Sequence, residues 1–393
     1  MLLKNLLLLG LPALSCYGAV IGKGQPHCQQ LYFTASVNAT TRDLSPAPDL
    51  SAPNAVVTYL QALLKEYNTA PNKTRRGTYT FAGQYCKAHG NGHSALQVLA
   101  HGSTYTKEYW DRGAWGNLSL QNSYQRFAAE QGSSTLAVDR ICNGRSSHPD
   151  PQLDCQLTTS IEAFHALFSA LRKGTASKKI PVPEELVFAG HSAGSITVSN
   201  HVQKYPHDVD TAILTGWPSG PIAQSFAAAY QARRNVTPPA SPALSPDYFP
   251  AKIGDPPRFA DLDQGYIVST NASFRTVGYS GSYDPSYPVF DNLSRGTFPL
   301  GEISYSGVTS FPAFTGRVIV ATGDLDSFAW ADRDVIEDSR AAFPSASSFE
   351  WIHALDAGHL VNYHRSAPNT YRKIFQALGS RELVREPGLR KWI

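Results

Sequence analysis

Short apolar runs recur along this chain, most of them five or six residues long and stopped by glycine, histidine or aspartate. Ala95-Leu-Gln-Val-Leu-Ala100 ends at His101-Gly102, Ser134-Thr-Leu-Ala-Val138 at Asp139-Arg140, and Glu185-Leu-Val-Phe-Ala189 at Gly190. Thr211-Ala-Ile-Leu214, Arg317-Val-Ile-Val-Ala321 and Ser348-Phe-Glu-Trp-Ile352 continue the series. Runs that stay apolar on successive positions read as strands covered on both faces. Helical spacing appears between them, from Thr158 to Leu171, from Ala193 to about Lys204 and from Asn369 to Leu378. The alternation predicts an α/β fold with a mainly parallel sheet flanked by helices.

The pattern breaks down between Ser219 and Ala313, where Pro, Gly and aromatic residues crowd a stretch too long and too apolar for a plain linker. It reads as a cap inserted into the main domain. The alternative is a set of surface loops whose aromatics fill a satellite core. No internal repeat is evident. The expected organisation is a leader at 1–19, a core in two parts at 20–218 and 314–393, and the cap at 219–313.

The leader places Lys4 before a short apolar run that ends in small residues by Ala19, the pattern of a secretory signal peptide. A membrane anchor is the rival reading, but the run is broken by Gly10 and Pro12 and is shorter than the roughly 20 residues a bilayer requires. No later stretch is apolar for long enough to span. The protein is therefore expected to be secreted and extracellular, which changes how its cysteines are read, because an oxidising compartment favours disulfides. Cys16 leaves with the signal, and four cysteines remain. The turn formers between Cys142 and Cys155 favour a bridge there, leaving Cys28 with Cys86. Asn-x-Ser/Thr sites at Asn38, Asn72, Asn117, Asn235, Asn271 and Asn292 fit a glycoprotein.

Hydrophobic residues make up 42% of the chain and charged residues 17%, a balance that excludes disorder and supports a substantial core. The formal net charge of +3 offers no footprint for nucleic acid, and the tightest basic cluster, Lys73, Arg75 and Arg76, reads as a solvated loop. No Cys-x-x-Cys, His-Glu-x-x-His, P-loop or Gly-x-Gly-x-x-Gly sequence occurs, so neither a metal nor a nucleotide cofactor is expected.

Chemistry gathers at the ends of the apolar runs. Ser192 lies in Gly190-His-Ser-Ala-Gly194, after a strand and before a helix, where flanking glycines permit a sharp turn that exposes the hydroxyl. The pentapeptide alone also fits an ordinary strand-to-helix turn. A serine nucleophile needs a neighbouring base, and the base needs an orienting acid. Asp324 and Asp326 compete for the acid's place after Arg317–Ala321. His359, in Asp356-Ala-Gly-His-Leu360, is the candidate base, with His353 and His364 as alternatives of structural character. The order Ser, Asp, His matches one fold's chain order. Oxyanion donors are expected from the amide of Ala193 and from the loop after His101-Gly102, where Ser103 is preferred and Thr104 is the alternative.

These residues resemble the α/β-hydrolase family, and more narrowly its secreted fungal members. The resemblance rests on Ala100-His-Gly-Ser-Thr-Tyr105 with Tyr109-Trp-Asp111, Asp139-Arg140 with Gly144-Arg-Ser146, Gly190-His-Ser-Ala-Gly194, Gly323-Asp-Leu-Asp326 and Ala357-Gly-His359. It covers roughly residues 80 to 380. It implies an α/β-hydrolase fold with an eight-stranded sheet, a cap over the site, and ester or related acyl hydrolysis without a cofactor. The resemblance also assigns the acid to Asp326, three residues past the strand-ending Gly323. The chain lacks the His-Gly-Gly-Gly pattern of one lipase and esterase branch, and its cysteine loop after Arg140 departs from the usual short turn. The expected activity is cleavage of a small apolar or aromatic carboxylic ester or lactone through an acyl-enzyme. An acyltransferase or lyase on the same triad is the alternative within the enzymes, and an inactive ligand-binding protein of the same fold is the alternative outside them.

Overall fold

The computed structural model describes residues 26–50, 55–90, 95–111, 120–217, 248–250, 256–269, 277–303, 309–326 and 333–379. The segment read as a signal peptide lies outside them, as do residues 219–247, 251–255, 270–276 and 304–308 of the insertion.

The strands in chain order are β1 (Cys28–Arg42), β2 (Asn72–Cys86), β3 (Ala95–Ala100), β4 (Ser134–Val138), β5 (Glu185–His191) and β6 (Thr211–Thr215). They continue as β7 (Tyr248–Pro250), β8 (Tyr266–Ser269), β9 (Phe298–Pro299), β10 (Arg317–Gly323) and β11 (Ser348–Ala354). Eight of them build one sheet in the order β1-β2-β4-β3-β5-β6-β10-β11, as the resemblance implies. The six strands from β4 to β11 run parallel, while β2 lies antiparallel to both β1 and β4.

In β3, β4, β5, β6 and β10 the apolar runs are explained by burial on both faces, whereas β11, at the sheet edge, buries only Ile352 and Ala354. Val98, Leu136, Leu186, Phe188, Leu214 and Val320 point into one core, and Leu99, Ala137, Val187, Ala189, Ile213 and Ile319 into the other. Helices α1 (Ala55–Glu66) and α2 (Tyr124–Glu130) precede α3 (Leu157–Arg172), which closes the first core and whose Ile161, Phe164, Leu167, Phe168 and Leu171 recur at helical spacing on its buried side. Phe164 and Phe168 lie 4.7 and 4.9 Å from the ring of Phe188, and burying each such side chain stabilises the fold by about 1.5–3 kcal/mol. The opposite core is closed by the helices Tyr124–Glu130 and Ala367–Ala377, through Tyr124, Tyr371 and Phe375.

The first two strands follow a different rule. β1 buries alternate residues, Leu31, Phe33, Ala35, Val37 and Ala39, and exposes those between them. One face is solvated, so no continuous apolar run announces it. The basic cluster expected in a solvated loop belongs to β2 instead, where Lys73 reaches Asp43 at 3.0 Å and Arg75 Nη2 reaches Asp154 at 2.8 Å. Lys73 and Arg75 thus meet carboxylates on neighbouring segments, while Arg76 Nε donates to Asn38 Oδ1 on β1 at 3.3 Å.

Both disulfides pair as expected. Cys142–Cys155 closes the turn-rich loop, and Cys28–Cys86 joins residues that face each other in the β1–β2 register. Within the insertion, β7, β8 and β9 form a small antiparallel sheet. Ile267, Phe298 and Leu300 share a separate apolar cluster with Leu50, Val56 and Leu60 from before β2. Among the described residues no helix is long and apolar enough to cross a membrane.

Candidate active site

β5 runs directly into a helix, α4 (Ala193–Lys204), and Ser192 is the single residue between them. Its backbone, at φ 53° and ψ −116°, occupies a region that L side chains rarely adopt, and the surrounding contacts must hold it there. Ser192 N donates to Thr215 O at 2.9 Å, tying the turn to β6. Gly194 allows the turn to close on β3, because a Cβ there would stand 2.3 Å from Ala100 O. Ala193, buried at the start of α4, has a backbone N–H with no acceptor within the helix.

Next to Ser192 runs the loop after β3. A Cβ at Gly102 would stand 3.1 Å from Ser192 Cβ, which sets the backbone of Gly102-Ser103 against the serine. Thr104 takes φ 64° in this loop, and its carbonyl accepts Gly296 N–H at 2.8 Å. His101 beneath the loop is fully buried. Arg140 N–H donates to its Nε2 at 3.0 Å, so its proton sits on Nδ1, which lies 2.7 Å from Gly102 O. Burial, and after it the Arg140 charge, hold this imidazole well below the usual histidine range.

The loops that carry Asp326 and His359 follow β10 and β11. Asp326 and His359 are both buried, and His359 Nδ1 lies 2.9 Å from Asp326 Oδ2. A carboxylate at Nδ1 selects the tautomer that carries its proton there, leaving Nε2 as the basic nitrogen. The structure brings Asp326, not Asp324, to His359. Asp324 is exposed, and its Oδ1 accepts the N–H of Ala357 at 3.2 Å. Of the alternative histidines, His353 is exposed on β11, while His364 is buried and accepts Gly358 N–H on Nε2 at 3.0 Å. His364 thus braces the loop that carries His359.

His191, next to Ser192 in sequence, packs near His359. Its ring stacks on Tyr109 at 4.2 Å and lies 4.9 Å from the ring of His359. Thr215 Oγ1 donates to Gly190 O and so accepts from His191 Nδ1, at 3.2 Å. Burial foremost, with His359 nearby, pushes the His191 imidazole well below its usual range. Tyr105 adds an aromatic wall, set edge-on to Tyr109, His191 and Tyr363.

Two buried ion pairs underlie these loops. Asp139 accepts both the backbone N–H and the Nζ of Lys107, each at 2.8 Å. Arg140 Nη2 lies 2.6 Å from Glu302 Oε1, which also accepts the Ser103 hydroxyl at 2.6 Å. Sequence reasoning did not single out Glu302, since nothing in its local sequence marks a carboxylate that will be buried 199 residues from Ser103. Among the described residues no group of three or more His, Cys, Asp or Glu is arranged to hold a metal ion.

A parallel sheet with a strained serine turn after β5, an aspartate after β10 and a histidine after β11 defines an α/β hydrolase. The chain belongs to the alpha/beta hydrolase family, a model of which matches residues 97–369. No curated protein sequence matches it. Solved structures similar to it include a thermophilic esterase from Thermogutta terrifontis (15% identity, 77% of this chain and 95% of that one, TM-score 0.44). A proline iminopeptidase from Mycobacterium smegmatis is similar at 15% identity over 78% of this chain and 94% of that one, with a TM-score of 0.46. A bacterial membrane phospholipase A is similar at 16% identity over 77% and 84%, with a TM-score of 0.47. These likenesses carry no inference about substrate.

Proposed function

We propose that the protein is a secreted serine hydrolase that cleaves a carboxylic ester or lactone through an acyl-enzyme. The observation that carries this reading is the buried contact of His359 Nδ1 with Asp326 Oδ2 at 2.9 Å, beside the strained turn at Ser192. In the proposed reaction, Ser192 Oγ attacks the carbonyl carbon as its proton passes to His359 Nε2, and Asp326 stabilises the resulting imidazolium. The amides of Ser103 and Ala193 receive the oxyanion. The carbon–oxygen bond of the alcohol then breaks, and the alcohol departs with the proton from Nε2. Water, deprotonated by the same nitrogen, attacks the acyl-enzyme, and the acid is released with Ser192 restored.

The aromatic-rich insertion at 219–313 serves as a cap in this reading, and the ring of Tyr105 beside His191 favours small to medium apolar or aromatic acyl groups over long triacylglycerols. The leader and the two disulfides support export. The test is labelling with a fluorophosphonate probe and mapping of the modified peptide. Attachment at Ser192, its loss in Ser192→Ala, and a burst of p-nitrophenol from an activated ester are expected. A well-folded protein that neither labels nor turns over would make this an inactive binding protein.

A further inference from the structure

The last part of the insertion reaches under the loop assigned to the oxyanion. Glu302 Oε1 accepts the Ser103 hydroxyl at 2.6 Å and Arg140 Nη2 at 2.6 Å. The side chains of Arg140 and Glu302 are only 3% and 6% exposed. A carboxylate so far from water persists only when it is both neutralised and hydrogen-bonded, and Arg140 and Ser103 supply those two conditions.

Arg140 does more than balance charge. Its Nε donates to His101 O at 2.8 Å and its backbone N–H to His101 Nε2 at 3.0 Å. Gly102 is therefore gripped from both sides, through the His101 carbonyl directly and through the Ser103 hydroxyl by way of Glu302. The strain of the loop shows that it needs holding: Thr104, a β-branched residue, sits at φ 64°, where such residues persist only when their surroundings impose it. A second tether from the same segment, Gly296 N–H to Thr104 O at 2.8 Å, fixes the following peptide.

We propose that Glu302, held by Arg140, is a positioning residue that aims the Ser103 amide at the oxyanion. The insertion thus completes the reaction machinery as well as covering it. This rests on the serine-hydrolase reading. Two groups of Ser103 take different parts: the amide meets the substrate and the hydroxyl anchors the loop. Arg140 also has an electrostatic part, since a lone carboxylate this close would repel the developing oxyanion, whereas the ion pair leaves little net field.

The test separates the hydroxyl from the amide. Ser103→Ala keeps the amide and loses the anchor, so kcat for p-nitrophenyl butyrate should fall between about tenfold and a hundredfold with KM within about twofold. Affinity for a trifluoromethyl ketone, whose adduct carries the oxyanion, should fall by the same factor as kcat/KM. Ser103→Thr restores a hydroxyl and should recover most of the rate. Glu302→Gln keeps an acceptor without the charge, and combining it with Ser103→Ala should add little to the larger single effect. Wild-type kcat and ketone affinity in folded Ser103→Ala, or additive effects in the double variant, would overturn the proposal while labelling of Ser192 still upholds the hydrolase. Should Ser103→Ala not fold, the same comparison is made between Ser103→Thr and Glu302→Gln, where unchanged ketone affinity in Glu302→Gln is the overturning result. A wild-type protein that fails to label overturns both readings.

Discussion

His359 Nδ1 faces Asp326 Oδ2 at 2.9 Å, while Asp324 turns its Oδ1 to the N–H of Ala357 at 3.2 Å. The two carboxylates are thereby separated, one against His359 and the other on the turn at Ala357. Asp326→Asn should leave the fold intact and lower kcat by roughly a thousandfold to ten-thousandfold, because the histidine tautomer is lost. Asp324→Asn retains an acceptor and should stay close to wild type, whereas Asp324→Ala should cost about 1 kcal/mol of stability. Steady-state rates and thermal melts of the three variants decide the matter. An inactive, folded Asp324→Asn beside an active Asp326→Asn would reverse the assignment.

The serine turn tolerates little at its second glycine. A Cβ at Gly194 would meet Ala100 O at 2.3 Å and His101 O at 2.7 Å, both of them backbone atoms that cannot rotate away. Gly194→Ala should destabilise the protein by about 1–3 kcal/mol and displace the start of α4, with a large loss of Ser192 labelling. Urea denaturation and probe labelling measure the two effects. Wild-type behaviour in both would mean that the turn is looser than the contacts require.

Asp139 is fully buried and accepts from Lys107 N, Lys107 Nζ and Arg145 N. Asp139→Ala removes all three hydrogen bonds and leaves a buried ammonium without its partner. The expected loss is about 3–5 kcal/mol, read as a lower urea midpoint. A change below about 1 kcal/mol, the range of exposed pairs, would show that water reaches Lys107.

The buried histidines make stability depend on pH. His101 and His191 are held well below their ordinary range, chiefly by burial, so the unfolded chain takes up protons at these positions before the folded one does. Each contributes stability that is present above the unfolded value of about 6.5 and is lost as the pH falls below it, by up to about 1.4 kcal/mol per pH unit. Asp208, lowered by its hydrogen bonds to His201 and His165 against the cost of burial, loses its contribution in the same direction at lower pH. Urea midpoints measured from pH 7.5 to 5 should decline. A flat profile would mean that these imidazoles take up protons in the folded protein at the same pH as in the unfolded chain.

The inner parallel strands, β3 to β6 and β10, could be read from the sequence because each is apolar on both faces, and a run such as Leu186-Val-Phe-Ala189 has no other stable place than the centre of a covered sheet. The serine turn was legible for a related reason, since two glycines around Ser192, after such a run and before helical spacing, prescribe a local backbone path. The outer antiparallel pair, β1 and β2, was not legible as runs. β1 buries every second residue, and its polar positions on the open face interrupt the apolar pattern that revealed the others. Lys73 and Arg75 lie in that edge pair too, where only the approach of Asp43 and Asp154 shows what the charges meet.

The resemblance favoured Asp326 over Asp324, and the turn after β10 supplies the geometry that separates them. Asp326 N bonds back to Gly323 O at 3.1 Å and the carboxylate turns inward, while Asp324 remains at the surface. Glu302 lay furthest from anything the sequence could indicate. A glutamate next to Gly301 carries no periodicity and belongs to no motif, and its burial follows only when the insertion folds back to meet Arg140 and Ser103. Local patterning determines which segments become strands and turns because backbone geometry and burial act over a few residues. Ion pairs between distant segments are decided by packing, since a buried charge is stable only where folding has already brought its partner.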